Sequence, residues 1–294
     1  MRIREENIMG FILVASYRIF ALVLILAIIN GFVFHSQTTQ SVHKKWISGS
    51  RLQDSSQQQQ SLKVLKRNDT VIEKIAIFSL SLLLSSISPD PLKSLSKSGF
   101  SYSNFVDCSK ILLEFQTPDI IKTKIVSLIV RILPSFVRDY FKTKYRETPR
   151  LVAELSVRWF EFGFLHWLVG PVEPKYTSTG PADETGSSWN NTVKLLECRF
   201  LKESGCKAAC NLLCKRPTQS LFQEHLGLPL YMRPNFTDYS CEMIFGIDPP
   251  LDSQDEAFSE TCYSQCALTA CSGPIITCAK ATETLIHTRR SSKF

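Results

Sequence analysis

ESGCKAACNLLCKRP, residues 203–217, carries three thiols at four-residue spacing, with no helix breaker between Cys206 and Lys215. At ~100° per residue an α-helix would put Cys206, Cys210 and Cys214 on one stripe. Thiols at i and i+4 leave a helix in nearly parallel directions, which suits disulfide pairing poorly and metal binding better. A regular helix rises ~12 Å from the first sulfur to the third, whereas one tetrahedral zinc gathers sulfurs about 4 Å apart. One zinc therefore cannot take all three. An iron–sulfur cluster, two metal sites or a locally unwound helix each fit the row, and plain buried thiols or disulfides remain alternatives.

Outward from this segment, nine of the ten cysteines lie between Cys198 and Cys278. Cys241 follows on an apparently extended loop, Pro234 to Cys241, and Cys262 and Cys266 form a second i, i+4 pair on a short helix-like piece after Ser259. Cys198, Cys271 and Cys278 have no obvious partner, and Cys108 stands alone upstream, where a core thiol is the expected role. His225 is a candidate extra ligand, weighed against an ordinary helical histidine. No nucleophile elbow, phosphate loop or paired-histidine zinc motif occurs, which removes hydrolase and kinase readings.

The chain has 294 residues and a formal net charge of +7, but the charge is uneven. From Leu151 onward there are 13 basic and 16 acidic side chains, so the excess cations belong to the N-terminal half. With no basic face interleaved with stacking aromatics, nucleic acid is not an expected partner. Residues 1–69 combine an apolar run, Met9 to Phe34, with a linker rich in Ser and Gln from His35 to Thr70. A signal peptide, a membrane anchor and part of an organelle transit peptide all fit that composition.

Folded structure is expected from Thr70, where Val71, Ile72, Ile75, Phe78 and Leu82 recur at helical spacing. Further helix-like blocks run over Tyr102 to Phe115, Ile120 to Leu133, Ser135 to Lys144, Pro149 to Val169 and Trp189 to Lys202. The thiol helix should end before Pro217, which biases its neighbour away from helical geometry. The expected fold is mainly α with a small irregular or β portion. A helical domain rich in Phe and Trp, 70–180, precedes a Cys-rich metal-binding domain, 181–294. Phe160, Phe164 and Trp167 share one face at i, i+4, i+7. They read as core packing or as a wall contacting a long apolar ligand.

Three blocks carry a family resemblance: ESGC-x3-C-x3-CK-x-PTQ at Glu203 to Gln219, LYM-x-PNF-x-DYSC at Leu230 to Cys241, and FG-x-x-PP at Phe245 to Pro250. They resemble the C-terminal region of the plant β-carotene isomerase family, the Dwarf twenty-seven proteins of strigolactone biosynthesis, and within it a "like" paralogue. The resemblance implies a plastid isomerase that uses bound iron, as single ions or an iron–sulfur cluster, to interconvert all-trans and 9-cis β-carotene or a related carotenoid. It also implies association with plastid membranes. Cys206, Cys210, Cys214 and Cys241 are then the first-choice iron ligands, with Cys262 and Cys266 second. No catalytic side chain is singled out, and Arg216, Gln219, Asp238 and Tyr239 have no assigned role. The rival readings are a secreted or luminal disulfide-rich protein, suggested by the apolar N-terminus and the sequons at Asn68, Asn190 and Asn235, and a non-catalytic iron–sulfur or carotenoid-binding protein of the same fold.

Overall fold

The computed structural model describes residues 68–263 apart from 115, 162–165 and 176–189. Helix α1, Val71–Ile87, starts at a capping box in which the Thr70 hydroxyl accepts from the Glu73 N–H and the Glu73 carboxylate accepts from the Thr70 N–H. Its serines are partly buried, yet Ser81 and Ser85 donate back to the carbonyls of Ile77 and Ser81, both at 2.8 Å, so no hydroxyl is stranded in the core. Helices α2, Pro91–Lys97, and α3, Tyr102–Ile111, fold back onto α1. Cys108 on α3 is buried and donates to the Ser94 carbonyl at 3.3 Å, the core role expected of it.

Helix α4, Pro118–Ile132, buries Ile121, Ile125 and Leu128 at i, i+4, i+7 and stops just before Pro134. Helices α5, Ser135–Glu147, and α6, Pro149–Glu161, form a tight hairpin. Helix α6 sinks Val152, Ala153 and Val157 against a sheet, while α5 buries no residue at all. Helix α7 is the short piece His166–Val169.

The sheet has four antiparallel strands in the order β1-β2-β4-β3, with β1 Val172–Lys175, β2 Thr192–Leu195, β3 Leu230–Pro234 and β4 Cys241–Phe245. The mainly α expectation holds, but the helix expected over Trp189 to Lys202 is replaced by β2 and a short helix α8, Arg199–Ser204. The segment Thr192 to Leu195 has no local breaker. Its strand state comes from pairing with β1 on one side and β4 on the other, an override of local preference by partners. Prolines 174 and 234 sit in the two edge strands, where a missing donor breaks no ladder.

The segment after Gly205 differs most from expectation. Gly205, at φ 54°, ends α8 in the left-handed region and resets the chain direction. Cys206 is therefore an extended N-cap and not a mid-helix residue. Helix α9, Lys207–Ala209, then runs without interruption into a π-helical stretch π1, Cys210–Lys215, helix α10, Arg216–Ser220, and a second π stretch π2, Leu221–Leu226. The helix passes through Pro217 instead of stopping before it. In an α-helix the proline ring would strike the carbonyl four residues back. The preceding turn is widened, with the Arg216 N–H bonding the Asn211 carbonyl five residues earlier, and this absorbs the conflict. This central helix packs against α4 through π1, α10 and π2, and against β3 through α10. Helix α11, Glu256–Ser259, closes over its N-terminal half, where the Asn211 amide donates to the Ala257 carbonyl at 2.6 Å.

Candidate functional site

Four thiols from three places in the chain meet at the foot of the sheet. Cys198 is the N-cap of α8, its sulfur accepting from the Leu201 N–H at 3.5 Å. Cys210 and Cys214 lie on π1, and Cys241 opens β4. The loop between β3 and β4 brings the first and the last together, because the Cys198 N–H donates to the Tyr239 carbonyl at 2.7 Å. Tyr239 holds a left-handed backbone, φ 61°, which costs a residue with a Cβ about 1–2 kcal/mol. Asn235 and Asp238 lock that loop by accepting from the N–H groups of Thr237 and Ser240, both at 2.8 Å.

Burial pushes the Cys210 thiol well up, and Cys214, Cys198 and Cys241 push it further. Cys241 is raised by burial and then by Cys198 and Cys214. Cys214 is pushed up to about 12 by burial and by Cys198. The thiols therefore share one field, in which the first negative charge opposes the next. The compensating cation is Lys215. Its side chain is fully buried, paired with the carboxylate of Asp255 and placed over the rings of Tyr231 and Phe258 at 5.4 and 5.2 Å. Burial lowers its pKa, while Asp255 and then Cys210 and Cys241 raise it.

Soft sulfur donors grouped around a buried cation have the right chemistry for iron. They are not a preformed ligand set: among the described residues no three Cys, His, Asp or Glu side chains stand close enough to hold one metal ion. The carbonyl oxygen of the Asn211 side chain, between these thiols and α11, is buried without a hydrogen-bond partner among the described residues. Among the described residues, Cys108, Cys198, Cys210, Cys214 and Cys241 are in no disulfide.

Of the first-choice ligands, Cys210, Cys214 and Cys241 come together. Cys206 is displaced from their stripe by its capping role, its sulfur accepting from the Ala209 N–H at 3.3 Å. Cys206 and Cys210 both raise the Tyr263 hydroxyl, behind burial and Tyr239. Cys262 packs beside that tyrosine on the edge of the core, outside any helix, and Cys266 lies outside the described residues. Cys198 and Lys215 were missed by sequence reasoning. Cys198 is separated from the thiol row by eight residues, with Lys202 at the intervening position and Gly205 ending its helix, and nothing local marks Lys215 as a buried lysine.

The residues without an assigned role turn out to be holders. Gln219 accepts from the Met232 N–H at 2.9 Å, tying the central helix to β3, and Arg216 pairs with Asp252 at 2.8 Å. Phe160 packs against Phe245 at 5.7 Å and Trp167 is buried, both in core contacts, while Phe164 lies outside the described residues. His225 falls on π2, near the helix end. An open cleft of about 1170 Å³ borders the thiols across Tyr102, whose hydroxyl is raised by burial and then by Cys198. Its walls mix apolar surface with the charged side chains of Asp69, Lys74, Glu197, Arg199, Lys202 and Glu203. Arg199 donates two hydrogen bonds to the Asp69 carboxylate, at 2.6 and 2.8 Å, and lies 3.8 Å from the centre of the Tyr102 ring.

A mainly helical chain that closes a small antiparallel sheet over buried thiols is the protein class defined by this fold and site. Residues 167–254, which contain five of the cysteines from Cys198 to Cys241, match the family described as beta-carotene isomerase D27-like, C-terminal. The chain is 35% identical over 144 residues to beta-carotene isomerase D27, chloroplastic, of Medicago truncatula, covering 48% of this chain and 49% of that one. It is 32% identical over 199 residues to the protein of the same name from Arabidopsis thaliana, covering 67% and 71%. The chain belongs to the beta-carotene isomerase D27-like family. It spans about half the length of the Medicago relative. No solved structure matches it.

Proposed function

We propose that this chain is a plastid carotenoid isomerase that interconverts all-trans and 9-cis β-carotene, or a close relative, with the thiol centre as its reactive core. The observation that carries the reading is the coincidence of the family match, residues 167–254, with the convergence of Cys198, Cys210, Cys214 and Cys241. Isomerisation about a double bond moves no atoms between molecules and is redox-neutral overall. The catalyst needs only to lower the bond order at one C=C for the time of a rotation. Iron held by these thiols, with Cys206, Cys262 and Cys266 as further donors, would supply a one-electron couple for that purpose.

The chain's own residues set the conditions. Burial excludes water from the sulfurs, and Lys215 favours thiolate at Cys210 and Cys241. Asp255 holds the Lys215 ammonium in place. Placement in strigolactone or other apocarotenoid synthesis and work at a plastid membrane belong to the same reading.

The test incubates anaerobically purified protein separately with all-trans and 9-cis β-carotene and follows both by chromatography. Both should approach one mixture, since a catalyst leaves the end point unmoved. Iron analysis on the same sample should show metal that is lost in Cys210→Ser. No interconversion with iron verified would leave a non-catalytic binding protein, and iron-free protein that still isomerises would remove the metal from the reading.

A further inference from the structure

The α5–α6 hairpin presents an apolar face that nothing among the described residues covers. Phe136 and Tyr140 on α5 are 72% and 61% exposed, and Leu151 and Leu155 on α6 are 52% and 51% exposed. Trp159 adds a partly exposed ring to the stripe that runs from Leu151 through Leu155. The ring contacts Tyr140–Phe141 and Phe141–Trp159, both 6.4 Å between centroids, join the two stripes into one patch. Exposed aromatic and leucine side chains at this density mark an interaction surface.

The charges around the patch indicate the kind of partner. Arg146 lies in the last turn of α5, beside the turn into α6, and Arg158 shares the α6 face at i+3 from Leu155 and i+7 from Leu151. Both are exposed and neither is in an ion pair with a carboxylate among the described residues. Two of the acids on these helices, Glu147 and Glu154, are already paired with Lys144 and Arg150. Exposed apolar side chains beside guanidiniums that are in no described ion pair match an interfacial helix seated on an anionic bilayer, with rings at acyl-chain depth and cations among the head groups. No described helix is long and apolar enough to cross a membrane, so this contact lies on the surface.

We infer that the α5–α6 hairpin is a docking surface for an anionic lipid bilayer. The inference rests on the isomerase reading only for what the bilayer delivers, a lipid-dissolved polyene. Vesicle docking is measured without substrate, so its failure and the failure of isomerisation are separate results.

The experiment uses the full chain and vesicles containing phosphatidylglycerol with brominated acyl chains, which quench only tryptophans that reach the bilayer. The expected result is quenching that is smaller in Trp159→Phe and that weakens on vesicles of neutral lipid alone. Replacing Arg146 and Arg158 together by glutamine should raise the lipid concentration for half-maximal Trp159 quenching about thirtyfold. Three results would overturn the proposal. One is vesicle-bound protein whose quenching is the same in Trp159→Phe, which would place any anchor elsewhere. A second is Trp159 quenching equal on neutral and anionic vesicles. The third is Trp159 shielded from aqueous iodide without lipid, increasingly so at higher protein concentration, which would give the face to a second copy of the chain.

Discussion

The central helix from Lys207 to Leu226 and the α5–α6 hairpin are built from similar material, yet one carries a fully buried lysine and the other exposes phenylalanine. The central helix has α4 on one side, β3 on another and α11 over its start. Helix α5 has α6 and the end of the central helix on one flank and open surface on the other. The difference teaches that helical period alone assigns a stripe, while the neighbours decide whether that stripe is core or interface.

That contrast can be broken most severely at Lys215. In Lys215→Met the Asp255 carboxylate stays buried without its cation, so unfolding in urea should show a loss of about 3–5 kcal/mol. A loss below about 1 kcal/mol would mean that the pair is solvated and the helix less enclosed. Next comes the pH response of the metal-free, reduced protein. The folded pKa values of Cys210, Cys214 and Cys241 lie above those of free thiols, so the unfolded chain ionises first. Stability should be full below about pH 8.5 and fall as pH rises toward 12. Thermal melts of Cys214→Ser should show a shallower fall over that window, and an unchanged slope would show that Cys214 is not enclosed.

Gly170 is a smaller break. Its φ is 100° and a Cβ would come 2.3 Å from the Glu197 carbonyl oxygen, so Gly170→Ala should cost at least ~2 kcal/mol in the same urea measurement. Thr70→Ala removes the capping oxygen of α1 and should cost about 1 kcal/mol. At the far end, Phe136→Ser on α5 should change stability by no more than about 0.5 kcal/mol, because no packing is lost. A larger cost there would show that the face is covered within the folded chain.

Much of the helical layer was legible. The period in Val71 to Leu82, the helix-like block from Ile120 to Leu133 and the isolated Cys108 each predicted what is observed, because capping and one-sided apolar patterns act over a few residues. The site was legible only in part. Cys210, Cys214 and Cys241 share one electrostatic field in the folded chain, whereas Cys206 was expected on a stripe that Gly205 breaks. The helix end expected at Pro217 failed for a related reason, since a widened π turn is a response to packing on both sides and leaves no local signature.

By itself the sequence determined the family, through blocks such as PNF-x-DYSC, and the sulfur-rich chemistry of the C-terminal half. Those are properties of composition and local order. Only the tertiary structure decided that Thr192 to Leu195 is a strand, that Cys198 joins the thiols through the Tyr239 carbonyl, and that Lys215 is their buried cation. Strand pairing, a hydrogen bond spanning 41 residues from Cys198 to Tyr239, and an ion pair spanning 40 residues depend on groups far apart in the chain. Their free energy appears only once the folded chain has excluded water from between them.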